Sequence, residues 1–360
     1  MTQRERFQKL MNYEPVDRMP LINVEPTESG VFERWRAEGL PADIVSAADA
    51  YFGMDSFSVV PMSNGPLPPF EKKIVAEDDE TYTETARLGG LVKRHKKNPT
   101  TFYGHVDYPV KTRADWEDYT LRFSKHTPGR IGTAAEIEKK CAALNASDKP
   151  VTITFFPFFT RLGFYSMGME RFLTAFYEEP DLIHDMFSYW CDLSLALARP
   201  YLDRTNVDAA IFGEDIAAKN APLVSPDIYR EFWVPHMEPL MRYLKERSVP
   251  LICQWTAGQC DPLLPIMMEQ GFNCTWPLER APGMDALAVR KKYGKGLRLA
   301  GNISIASLIA GPSAIDAEIE RLMPLIREGG FFPTLDDMIA LEVPLANFQY
   351  YLNAIRSIKF

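Results

Sequence analysis

The chain has 360 residues, a net charge of −8, 46% hydrophobic and 24% charged residues, the balance of an ordinary folded protein with ample core. This acidity, without any basic tract or stripe, argues against nucleic acid or an anionic membrane as a main partner. No apolar run is long enough to cross a bilayer. The five cysteines, Cys141, Cys191, Cys253, Cys260 and Cys274, include no CxxC pair, which fits reduced thiols in a cytoplasmic protein.

In chain order, Thr2–Asn12 has helical spacing, and "YEPVDRMPLINV" runs through a proline-marked turn into a first short strand. Glu28–Ala50 is expected to carry two short amphipathic helices, and "DSFSVVPM" a second strand. Residues 70–97 alternate polar and apolar around Asp78–Asp79 and Gly89–Gly90, the pattern of an antiparallel meander inserted beside the main body. Within it "VKRHKK" reads as a solvated hairpin edge. Beyond Ala114 strands and helices alternate steadily: "PVTITFFPFF", "DAAIFGED", "VPLICQ", "FNCTWPLE", "LRLAGNIS" and "FFPTLDD" are strands separated by helical segments, and Pro344–Ser357 is a last helix. About eight strand–helix units imply one closed (β/α)₈ barrel across residues 1–360 rather than an open sheet. No glycine-rich GxGxxG or GK[ST] turn follows any strand, which removes the usual nucleotide-binding alternatives.

A barrel of this kind assembles its site from the carboxyl ends of its strands. Those ends carry Glu25, Phe155–Phe159 with Arg161, Glu214–Asp215, Trp255–Gln259, Glu279, Asn302 and Asp336–Asp337. The carboxylates Glu214, Asp215, Glu279, Asp336 and Asp337 are candidate catalytic groups, as acids, bases or cation ligands. Each also has a structural alternative: a helix cap, or an ion pair with Lys219, Arg280 or Arg298. Phe155, Phe156, Phe158, Phe159 and Trp255 form a candidate aromatic wall for a flat ligand, although for half of these phenylalanines core is the safer reading. Gln259 and Asn302 are candidate substrate contacts, and Arg161 either receives an anion or pins a loop carboxylate. None of the five histidines falls at the end of a late strand, so no Ser–His–Asp or Cys–His arrangement is supported.

Several long stretches resemble the uroporphyrinogen decarboxylase-like superfamily in collinear order. They are "TQRERFQKLMNYEPVDRMP", "DYPVKTRADWEDY", "GEDIAAKNAPLVSPDIYREFWVPH", "GFNCTWPLERAPGMDALAVRKKYGKGLRLAGNIS" and "GGFFPTLDDMIALEVPLANFQYYL". The resemblance implies a distorted TIM barrel and one of two chemistries. True uroporphyrinogen decarboxylases carry an N-terminal arginine-rich motif for the porphyrinogen carboxylates, and nothing like it stands between Pro20 and Gly53. The other branch comprises cobalamin-dependent methyltransferases, often dimeric, which exchange a methyl group with the cobalt of a separate corrinoid protein. Its thiol-using members hold zinc with a His-x-Cys-Gly turn and a later Cys or His. Here "WTAGQ" occupies that turn, with Trp255 and Ala257 in place of the ligands, and Asp337 stands at the third position. The expectation is therefore a corrinoid-dependent methyltransferase that demethylates a small aromatic methyl ether without that zinc trio. A decarboxylase of a small aromatic or tetrapyrrole-like acid and a non-catalytic ligand-binding barrel are the alternatives.

Overall fold

The computed structural model describes residues 1–22, 25–47, 50–97 and 103–360. The expected first strand falls partly on Asn23 and Val24, and the expected second helix of the 28–50 stretch partly on Ala48 and Asp49, outside the described residues. Within the described part of that stretch there is one helix, Val31–Ala37, before a single 3₁₀ turn at Ala50–Phe52. Gly39, with a positive φ, and Pro41 follow the helix and do not favour its continuation.

The strands are β1 (Ser58–Val59), β2 (Ile74–Glu77), β3 (Thr81–Thr85), β4 (Leu91–His95), β5 (Tyr103–Asp107), β6 (Val151–Phe155), β7 (Ala209–Gly213), β8 (Leu251–Trp255), β9 (Cys274–Trp276), β10 (Arg298–Ile303) and β11 (Phe331–Leu335). Seven of them form one parallel sheet in the order β1-β6-β7-β8-β9-β10-β11. The segment around Leu21 fills the remaining gap of the ring. Asp55 N donates to the Leu21 carbonyl at 2.7 Å, Thr334 Oγ1 donates to the Ile22 carbonyl at 2.9 Å, and Thr27 makes a parallel bridge to Ile339. The result is a distorted (β/α)₈ barrel with its helices outside.

Alternation along the strands decides what faces the lumen, because successive side chains point to opposite faces. Thr152, Thr154 and Phe156, Ile211 and Gly213, and Trp255 and Trp276 look inward. Ile153, Phe155, Ala210 and Phe212 look outward, where Phe155 stacks on Phe212 at 4.7 Å. The helix Gln3–Met11, opened by a capping box between Thr2 and Glu5, closes the other end of the barrel. Its Phe7 packs edge-on to Phe57 and Phe332, and Arg4 pairs with Asp208 at 2.9 Å.

The insertion is a four-stranded antiparallel sheet, β2-β3-β4-β5. It extends past the expected end at Lys97, since β5 completes it. "VKRHKK" is consequently not an edge: β4 is paired on both sides, with β3 and with β5.

Candidate active site at the barrel mouth

At the carboxyl end of the strands lies a cavity of about 930 Å³. Its wall is largely aromatic and aliphatic, with Phe57, Phe156, Trp255, Trp276, Ile211 and Met338, and the polar side chains of Thr152, Thr154, Glu28 and Arg161 interrupt it. Phe156 is 39% exposed and meets Trp255 edge-on at 6.3 Å. Its ring leans over β7 because position 213 is glycine: a Cβ there would come within 2.4 Å of Phe156 Cδ2.

Trp255 is held from the opposite side of the ring. Its indole Nε1 donates to Glu25 Oε1 at 3.0 Å. Glu25 is buried, and burial pushes its carboxyl up to about 7. The Trp255 bond opposes that rise, while the negative charges of Asp337 and Asp336 add to it. Glu25 itself does not line the cavity; it stands directly behind Trp255, which does, and an acid titrating near neutrality one hydrogen bond from a cavity wall is a candidate for proton transfer. Glu25 was visible as a strand-end residue, but nothing in the sequence marked it as buried or as the partner of Trp255.

The five expected carboxylates do not converge on the cavity. Glu214 looks outward, one position past the inward-facing Gly213. Only 1% exposed, it accepts bonds from Thr160 N at 2.7 Å and Trp233 Nε1 at 3.0 Å. Trp233 reaches it from a π-helical stretch, Tyr229–Trp233, inside the helix that continues to Glu246. Burial pushes the Glu214 carboxyl up to about 7 against those two bonds. Asp215, at a positive φ, pairs with Arg161, so that arginine pins a loop carboxylate. Asp336 accepts from Arg280 N at 2.9 Å and Ile305 N at 3.0 Å, tying the loops after β9 and β10 together; burial pushes it up to about 6. Glu279 accepts from Gly258 N at 2.9 Å, and burial raises its pKa. Asp337 is exposed and accepts from Met338 N. Glu25, Glu279, Asp336 and Asp337 thus gather within electrostatic reach on one side of the mouth, with Glu214 and Asp215 apart from them.

Of the expected substrate contacts, Phe156, Arg161 and Trp255 line the cavity. Phe155, Phe158 and Phe159 are core: Phe158 stacks on Phe159 at 4.3 Å, and Phe159 on Phe187 at 4.1 Å. Pro157 ends the strand, so Phe159 already opens the helix Phe159–Met167 instead of extending the wall. Asn302 is fully buried and bonds to the Leu278 and Met284 carbonyls, both at 2.7 Å, and to Ala286 N. Gln259 bonds within its own turn and to the Pro282 carbonyl. Thr256, whose neighbours suggested chemistry, is buried and accepts from Ile216 N at 3.0 Å.

The zinc positions do not fit a zinc ion. An indole at 255 and a methyl at 257 offer no lone-pair donor, and the Trp255 nitrogen is already a hydrogen-bond donor to Glu25. Among the described residues no group of three or more His, Cys, Asp or Glu side chains is placed to hold a metal. All five cysteines are unpaired and buried, and no helix of the described residues is long and apolar enough to cross a membrane.

Fold and site together define a TIM-barrel protein with an aromatic, acid-edged cavity at the mouth. The family model "Uroporphyrinogen decarboxylase (URO-D)" matches residues 104–358, and the chain belongs to that family. Among curated relatives, a uroporphyrinogen decarboxylase of Nocardia farcinica is 30% identical over 153 residues, 42% of this chain and 40% of that protein. Another, from Rhodococcus jostii, is 26% identical over 221 residues, 60% of this chain and 58% of that protein. The match therefore spans between two fifths and three fifths of these decarboxylases. The methylcobamide:CoM methyltransferase MtbA of Methanosarcina mazei is 22% identical over 272 residues, 76% of this chain and 75% of that protein. A solved methyltransferase structure from Methanosarcina mazei superposes over 99% of this chain and 98% of its own, with a TM-score of 0.62 and 18% identity, and shares its fold.

Proposed function

We propose that this chain is the substrate-demethylating methyltransferase of a corrinoid-dependent system, acting on a small aromatic methyl ether. The cavity carries this reading. Its wall of Phe57, Phe156, Trp255 and Trp276 suits one flat ring, and its volume suits a small ligand. Among the described residues Arg161 is the one cation lining it, and that charge is already met by Asp215. A substrate bearing many carboxylates would find little to hold it. The likeness to MtbA over three quarters of both chains supports the same reading.

The corrinoid, carried by a partner protein, would supply the nucleophile that accepts the methyl group. The residues of this chain do the rest. The aromatic wall orients the ring and keeps water from the ether. Glu25, partly protonated near pH 7, is the acid we assign to the departing aryl oxide, which is a poor leaving group without a proton. Trp255 positions that carboxyl through its indole bond. Purified protein mixed with a corrinoid protein in the cob(I)alamin state and a panel of methoxyarenes is expected to give the spectrum of methylcobalamin. Silence across a broad panel would sink the proposal.

One observation favours a second reading, decarboxylation of a small aromatic acid. Arg161 lines the cavity and would anchor a carboxylate if it exchanged Asp215 for substrate. Release of carbon dioxide without methyl transfer separates the two. A barrel that only binds would give neither product.

A further inference from the structure

A second cavity, of about 330 Å³, adjoins the first, and Phe156 and Tyr103 line both. It lies where the inserted sheet meets the barrel mouth. From the insertion come Arg87, Arg94 and His105; from the barrel come Asn64, Phe156 and Tyr165. Among the described residues no acidic side chain lines it.

The local charge is positive. Arg94 Nε donates to Glu84 at 2.7 Å, and Lys72 Nζ lies 3.1 Å from the other oxygen of the same carboxylate. One buried anion thus faces two cations before Arg87 is counted. Arg87 sits on the tight turn between β3 and β4, where Gly89 N donates to the Ala86 carbonyl at 3.0 Å. Among the described residues its guanidinium has no ion-pair or hydrogen-bond partner, unlike Arg94, Arg122 and Arg161 around it. His105 stacks on Tyr108 at 5.8 Å, and its buried Nδ1 has no hydrogen-bond partner among the described residues. Burial and the nearby Arg94 lower its pKa, so the ring is neutral and keeps one N–H to donate. The unpartnered Arg87, Arg94 beside its Glu84 partner, an imidazole and the Asn64 amide, which keeps one N–H beyond its bond to the Phe156 carbonyl, surround a cavity without an acidic side chain among the described residues and form a receptor for a carboxylate, which guanidinium binds by paired N–H···O bonds.

We propose that this annex receives the carboxylate of the substrate, so that the methyl ether demethylated in the first cavity belongs to an aromatic acid. This rests on the methyl-transfer reading for the word ether. The anion site itself does not depend on it.

The test is calorimetric titration of the full-length protein with methoxybenzoates and with the matching neutral methoxybenzamides, for the wild type, Arg87→Gln and a remote control, Arg230→Gln. The acids are expected to bind at least roughly tenfold more tightly than the amides. Arg87→Gln should erase that preference while Arg230→Gln keeps it. Arg87 is exposed and bonded to nothing described, so its replacement leaves the fold intact; an unchanged thermal transition checks this. Equal affinities for acid and amide, a preference that survives Arg87→Gln, or no binding of either ligand overturns the proposal. Preferential binding of the acids without methyl transfer to a corrinoid protein keeps the annex and sinks the methyl-transfer reading, so the two failures are distinguishable.

Discussion

Glu214 and Glu25 are both buried carboxylates at strand ends whose pKa is pushed to about 7, yet their surroundings differ in kind. Glu214 stands on the outer face of β7, where a backbone N–H and an indole N–H aim at its two oxygens in a packed layer between strands and helices. Glu25 stands at the mouth, bonded across the lumen to a tryptophan that lines a cavity. A perturbed pKa therefore does not by itself mark chemistry. The shift comes from burial in both cases; what separates them is the partner, since Glu25 holds a side chain that lines the cavity and Glu214 one that does not, and on that ground the acid role proposed above falls to Glu25.

The comparison breaks most visibly at Glu214. Glu214→Ala strands two buried N–H donors and should cost about 3 kcal/mol of stability in denaturant unfolding, with ligand affinity in the cavity unchanged at a temperature where the variant is folded. Lost ligand binding with unaltered stability would reverse the roles assigned here. Trp255→Ala removes a wall and the partner of Glu25, and should lower kcat/KM by about a hundredfold. Trp255→Phe keeps a ring but loses the bond that lowers the Glu25 pKa, so the pH limb assigned to Glu25 should move upward. A limb that stays put would detach Glu25 from the reaction.

The pH dependence of stability tests the Glu25 titration directly. With a folded-state pKa near 7 against an ordinary 4.5, Glu25 holds its proton in the fold over a range where the unfolded chain has lost it. The unfolded state then binds fewer protons, so stability falls as pH rises from about 4.5 to 7. Glu25→Gln should remove about 2 kcal/mol of that fall, measured as unfolding free energy at pH 5 and pH 8. Parallel curves for variant and wild type would refute the assignment. The smallest effect expected is that of Phe156→Ala. It removes the ring 5.5 Å from the Arg161 guanidinium and should weaken an aromatic ligand about fivefold, with little change in thermal stability because the ring is half exposed.

The barrel was legible because its signals are local and repeated: apolar strands, amphipathic helices and turn residues in steady alternation. The zinc-less turn at Trp255–Gly258 was legible too, as a substitution at a motif. Strand-end position alone misled at Glu214 and Phe155. The alternation of "VTITFF" and "AAIFGE" does carry the answer, since a period of two sends Phe156 and Gly213 inward and Phe155 and Glu214 outward. Asn302 and Asp336 could not be recognised as structural, because their backbone partners lie on loops 16 to 56 residues away. Arg87 and His105 were hidden for a related reason: only the docking of the inserted sheet beside Phe156 brings them to the mouth.

Gly213 has a practical consequence. The clearance available to the Phe156 ring is set by what the neighbouring strand omits, so the gauge of the entrance can be altered at a single lining position on the strand beside it. Side chains of graded bulk at 213 would press the ring progressively into the opening, offering a dial for substrate size that leaves the acid and the indole in place.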